Sequence, residues 1–157
     1  MTDQIMRTRG ADRRAAGQAD VAPERAREAP DVVLVDDDAE LVGMIAFGLE
    51  SAGYSVMTCD NGPDALAALL ALSTTGLPRL LALAIDLPGL DGHTLHEQLQ
   101  AARPGRFVVV FVSARDSDAE QVRALNAGAV DYLVKPISIP VLLAKIEVWL
   151  RPCDDEA

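Results

Sequence analysis

The stretch Leu80-Leu81-Ala82-Leu83-Ala84-Ile85-Asp86-Leu87-Pro88-Gly89-Leu90-Asp91-Gly92 decides how the rest of the chain is read. It opens as an unbroken apolar run from Leu80 to Ile85. Such a run suits a strand buried on both faces of a parallel sheet. It closes in a loop whose Pro88 and two glycines oppose both helix and strand. A buried strand that runs straight into such a loop marks the carboxyl edge of an open α/β sheet, where ligands and chemistry collect.

Other segments repeat the pattern. Residues 31–35 are a β-branched run that stops at Asp36, Asp37 and Asp38. A buried strand cannot hold three carboxylates, so they must emerge at its end. A helix is expected over 38–52, with Leu41, Ile45, Leu49 and Ala52 on one face and Gly53 as its stop. A second strand follows over 54–59. Asn61-Gly62-Pro63 then starts a second helix, whose apolar side is Ala65, Leu66, Leu69 and Leu70. Residues 73–78 read as a loop before the central strand.

Downstream, a third helix is expected over 93–103, a strand over 107–112, a fourth helix over 118–127 and a strand over 130–134. The last helix, 138–150, is amphipathic through Val141, Leu142, Ala144, Lys145 and Val148. Five strands alternating with five helices predict a parallel sheet covered on both faces, without internal repeats.

Composition narrows the function. The chain has 157 residues, half of them hydrophobic, and a net charge of −10, which argues against nucleic acid as a partner. Residues 1–30 hold six Arg against five acids, so residues 31–157 carry −11. The first segment lacks apolar periodicity and is expected to be a flexible tail, with 31–151 as the folded domain and 152–157 as an acidic tail. No leader-like apolar core appears there, and no run approaches the ~18 apolar residues that span a bilayer. Cys59 and Cys153 match no metal spacing and read as reduced thiols of a cytoplasmic protein, Cys59 packed in its strand.

Polar groups from four strand ends meet at one edge: Asp36 and Asp37, Ala84 with Asp86 beyond it, Ser113, and Lys135 before Pro136. Val-Asp-Asp at 35–37, Asn-Gly-x-x-Ala-Leu at 61–66, Leu-Pro-Gly-Leu-Asp-Gly at 87–92, Val-Ser-Ala at 112–114 and Tyr-Leu-Val-Lys-Pro at 132–136 together resemble the receiver domain of two-component response regulators. The resemblance covers roughly residues 31–150 and implies a flavodoxin-like sheet ordered 2-1-3-4-5.

Typical receivers accept a phosphoryl group from a histidine kinase on an aspartate at the end of the third strand. The resemblance implies that Asp36 and Asp37 match the Mg²⁺-holding acid pair. By the same matching, Ser113 is the phosphoryl-contacting hydroxyl, Lys135 the cation and Tyr132 the switch aromatic. The acceptor lies four residues before the loop proline, which here is Ala84. Alanine has no oxygen to phosphorylate. Asp86, two residues on, faces the same way along a strand but is displaced by roughly 6.6 Å. In-line transfer depends on positioning, so Asp86 reads better as a solvated loop carboxylate or a partner for Lys135.

The expected function is that of an atypical stand-alone receiver, a pseudo-receiver, which signals by protein contact and is not an enzyme. Its cofactor requirement is none, with Mg²⁺ held weakly at Asp36 and Asp37 because one hard oxygen ligand is gone. Expected partners are signalling proteins, a histidine kinase or another regulator among them, or a second copy. The fourth helix, fifth strand and fifth helix are the expected contact face, with Ala144, Val148 and Trp149 contributing. Alternatives are a phosphoacceptor receiver using Asp86, a conventional receiver carrying an acceptor-to-Ala84 substitution, and a small flavodoxin-like enzyme or nucleotide binder. His93 and His96, one turn apart, read as helix-surface residues without a completed ligand set.

Overall fold

Strand registers tie five segments of the computed structural model, which describes residues 30–73 and 79–151, into one parallel sheet. The strands are β1 (Val32–Val35), β2 (Val56–Cys59), β3 (Arg79–Leu83), β4 (Phe107–Ser113) and β5 (Asp131–Val134), ordered β2-β1-β3-β4-β5. Helices α1 (Ala39–Ser51), α2 (Gly62–Leu70), α3 (Gly92–Ala102), α4 (Asp118–Asn126) and α5 (Ile139–Trp149) alternate with them. This is the flavodoxin-like order that the sequence implies. Residue 30 aside, the tails at 1–30 and 152–157 lie outside the described residues, as does most of the 73–78 loop.

Successive side chains of a strand point to opposite faces, so an apolar run fills two cores at once. Val33, Val35, Leu81, Leu83, Val109 and Phe111 enter one core with Ala65 and Leu69 of α2, Leu95 and Leu99 of α3 and Ala124 of α4. Val32, Leu34, Leu80, Ala82, Val110 and Val112 enter the other with Ile45 and Leu49 of α1 and Leu142 and Ile146 of α5. Both sheet faces are therefore dry, which is why the strands read as continuous rather than alternating runs. Among the described residues, no helix is long and apolar enough to cross a membrane.

Each helix begins on a side chain that accepts from a free backbone N–H: Asp38, Asn61, Asp91, Ser117 and Ser138. Gly92 is required by close approach. A Cβ there would lie 2.1 Å from the Ala84 carbonyl oxygen, while the Gly92 N–H donates to Ile85 at 2.8 Å. Gly89, at φ +83°, makes the preceding turn in a conformation that side chains disfavour.

Some boundaries differ from the sequence reading. β2 begins at Val56, because the Tyr54 N–H closes the end of α1 on Leu49 and Ser55 pairs with Asp31. Ala52, expected on the apolar face of α1, is its exposed C-cap. β3 ends at Leu83, so Ala84 and Ile85 are buried but outside the strand. The strand geometry assumed for Asp86 does not hold.

Candidate functional site

The carboxyl edge gathers the residues that the motifs single out. Register pairs Val35 with Leu83, and the Ala84 N–H donates to the Val35 carbonyl at 2.9 Å. The end of β1 and the position after β3 therefore lie side by side. Asp36 is buried, at 8% exposure. Its Oδ1 accepts the Asp38 N–H at 3.0 Å and its Oδ2 meets Lys135 Nζ at 2.9 Å. Lys135 directly follows β5 and precedes a cis peptide bond to Pro136, and its carboxylate partner is Asp36. Asp37 is exposed. Ala84, at 4% exposure, contributes only a methyl group.

A divalent cation needs several hard oxygen ligands. Asp36 is engaged by Lys135, Asp37 faces solvent, and position 84 offers no side-chain oxygen. Among the described residues, no group of three or more His, Cys, Asp or Glu side chains is placed to hold a metal ion. This donor set fits a tightly held Mg²⁺ poorly. A groove of about 610 Å³ opens beside Asp36 and Asp37, lined also by Val42, Ala46, Thr58 and Cys59. Burial, with Asp64 and Asp60 adding charge, pushes the Cys59 thiol up to about 11, which keeps it an unreactive thiol.

Asp86 does not reach Lys135. It is exposed, and both its oxygens are taken by Arg115, with Nε at 3.1 and 3.0 Å and a terminal nitrogen at 2.6 Å. These hydrogen bonds hold the Asp86 carboxyl below the ordinary carboxylate range. Asp86 is thus the exposed loop carboxylate the sequence suggests, but its partner is Arg115 and not Lys135. Arg115 also sits 3.6 Å from Glu120 of α4, whose other oxygen lies 2.8 Å from His93 Nε2. Ser113 Oγ accepts the Arg115 N–H at 3.1 Å, and the Tyr132 hydroxyl donates to the Arg115 carbonyl at 2.6 Å. The Tyr132 ring is 6% exposed and stacks on Phe111 with centroids 6.2 Å apart. Burial raises the Tyr132 phenol above its ordinary value, so it stays a donor.

Arg115 and Glu120 were missed in the sequence. Only the polar break Ser113-Ala114-Arg115-Asp116 hinted at them, because their partners are distant in the chain. His93 and His96 are not surface residues: they are 4% and 1% exposed and lie 5.2 and 5.5 Å from the Phe111 ring. Their faces of α3 point inward with Leu95 and Leu99. Among the described residues, neither ring nitrogen of His96 has a hydrogen-bond partner.

Burial, reinforced by His93, holds the His96 pKa below its ordinary value, although Glu97 opposes the shift. A folded-state value below the unfolded one makes the unfolded chain bind more protons on acidification. The stability due to neutral His96 is fully present above about pH 6.5, the ordinary histidine value, and is lost as pH falls through that value. Urea midpoints measured from pH 7 to 5 are expected to fall, and His96→Leu is expected to flatten that slope. An unchanged slope in the variant would assign the acid sensitivity elsewhere.

Comparison with known proteins bears on the family and the fold. The family model "Response regulator receiver domain" matches residues 32–147. The phosphate regulon transcriptional regulatory protein PhoB of Rhizobium meliloti (strain 1021) is 35% identical over 128 residues, 81% of this chain and 55% of that protein. The chain spans about half the length of the curated relatives it matches. A CheY-like receiver domain protein from Methanospirillum hungatei JF-1 superposes with a TM-score of 0.70 at 30% identity, over 80% of this chain and 97% of that one. A Burkholderia pseudomallei response regulator protein, solved with a phosphorylated aspartic acid, calcium ion and citrate, superposes at 0.64 and 26% identity, over 76% of this chain and 67% of that one. With five parallel strands in the order β2-β1-β3-β4-β5 and a family match over residues 32–147, the chain belongs to the response regulator receiver domain family.

Proposed function

We propose that this receiver domain is a pseudo-receiver: it takes part in two-component signalling by protein contact, without aspartyl phosphorylation and without catalysing a reaction. The observation that carries this reading is Ala84, a buried methyl group next to the end of β1 and its Asp36–Lys135 pair, at the place to which the receiver motifs assign the acceptor aspartate. Asp86, the nearest substitute, is exposed and held by two bonds from one Arg115 nitrogen and a third from another. Mg²⁺ is not required and binds weakly through Asp36 and Asp37.

Contact is expected on the face formed by α4, β5 and α5. Val122, Leu125, Val130 and Val148 are each about half exposed there. The Lys145–Asp131 ion pair, 3.1 Å, ties α5 to β5 and gives that face a polar centre. Trp149 is partly buried against the α1–α5 core, which leaves Ala144 and Val148, both exposed, as the α5 contact candidates. The partner is a signalling protein, such as a histidine kinase or another regulator, or a second copy. The acid-rich domain, in a chain of net charge −10, is a poor nucleic-acid surface. The curated relatives named as transcriptional regulators are about twice as long as the matched region. A cytoplasmic location follows from this assignment. Incubation with acetyl phosphate and Mg²⁺, read by intact mass, tests the reading: the expected result is no phosphoryl adduct.

A further inference from the structure

Arg115 joins four separate elements at the carboxyl edge. Its guanidinium holds Asp86 in the loop after β3 through three contacts, and it sits 3.6 Å from Glu120 on α4. Its N–H is fixed by Ser113 at the end of β4, and its carbonyl accepts the Tyr132 hydroxyl of β5. Glu120 continues the chain to His93 on α3.

We propose that the Asp86–Arg115 pair is a latch that fixes the segment between β4 and α4 and so keeps the Tyr132 ring buried on Phe111 in the unmodified chain. The coupling follows from hydrogen-bond accounting. The partner of the buried Tyr132 hydroxyl is a main-chain carbonyl in a segment of exposed residues, 114–119. If that segment drifts, the phenol loses its acceptor, and a buried polar group without a partner is costly. The ring then turns outward to reach water. This changes the surface between α4 and β5, beside Val122, Leu125 and Val130. The latch rests on the pseudo-receiver reading: with Ala84 at the acceptor place, an internal ion pair does the holding that a covalent phosphoryl group would otherwise do. Both partners are exposed, at 49% and 64% of their side-chain surface, so the latch is weak singly and sensitive to salt.

The test uses the full chain in a Tyr54→Phe background, where Tyr132 is the sole tyrosine. Ring contacts between Tyr132 and Phe111 are followed by NMR, and backbone hydrogen exchange is followed over 113–119. Asp86→Asn and Arg115→Ala are each expected to weaken the ring contacts measurably and to raise exchange several-fold. Arg115→Lys, which keeps charge but loses the two-pronged fit, is expected to fall between. Salt near 1 M is expected to mimic the single variants in the parent chain. Exchanging the two charges, as Asp86→Arg with Arg115→Asp, is expected to restore the contacts. Tyr132–Phe111 contacts as strong in both single variants as in the parent would overturn the latch, and so would failure of the exchanged pair to restore them. No phosphodonor is present in these measurements, so their failure is separable from a phosphoryl adduct, which would instead overturn the pseudo-receiver reading.

Discussion

Ala84→Asp is expected to convert a site that does not saturate with Mg²⁺ below millimolar concentration into one that does. The replaced methyl is buried beside Asp36, whose carboxylate already meets Lys135 at 2.9 Å. A third carboxylate on the same edge would leave two negative charges that Lys135 cannot neutralise, where the parent leaves one. Like charges at close range repel, and a cation relieves them. The variant should therefore be less stable than the parent without metal and gain stability with it. At a hundredfold excess over Kd, the gain is about 2.7 kcal/mol, which appears as a rise of several degrees in Tm. Calorimetry with Mg²⁺ on both proteins checks this. Equal and absent binding in both would mean that the pocket around Asp36 and Asp37 has diverged beyond one side chain.

Phe111→Ala is expected to be the most destabilising single substitution near the site. Phe111 is fully buried at the centre of β4, and the rings of His93, His96 and Tyr132 all lie within 6.2 Å of it. Truncating a buried Phe typically costs about 3–5 kcal/mol, and more where the surroundings cannot collapse into the cavity. Here the neighbours are stiff rings, two of them also held by polar partners, Glu120 and the Arg115 carbonyl. A value at the upper end of that range is expected, read as a lower urea midpoint at constant m-value. A loss below about 1 kcal/mol would show that the rings repack and that Phe111 does not organise them. The same substitution should loosen Tyr132, since the ring it stacks on is gone.

The sheet was legible because its strands are buried on both faces and its helices are punctuated. Runs such as 31–35 and 107–112 stop at acids or at Ser113, and Asp38, Asn61, Asp91, Ser117 and Ser138 mark helix starts by their own chemistry. Apolar continuity overran at Ala84 and Ile85, since a run of buried residues does not say where ladder pairing ends. The site was half legible. A lysine closing a buried strand needs a nearby carboxylate, so some partner for Lys135 was legible, but the choice of Asp36 over Asp37 and Asp86 was made by the fold. The Asp86–Arg115 pair did not follow, because 29 residues separate the partners and only the fold brings their loops together. His93 and Glu120 are similarly 27 residues apart. The burial of His96 did leave a trace: it stands beside Leu95 and one turn before Leu99, on the apolar side of α3. Polarity outweighed that position in the sequence reading, whereas packing against Phe111 decided it in the fold.

The most direct measurement is the intact mass of the unaltered chain after incubation with acetyl phosphate and Mg²⁺, with Ala84→Asp run alongside as the reactive control. The expected result is an unchanged mass for the parent and an added phosphoryl group on the variant. A phosphoryl adduct on the parent, lost again in Asp86→Asn, would contradict the account, since it would make Asp86 the acceptor and the domain an ordinary phosphorelay member.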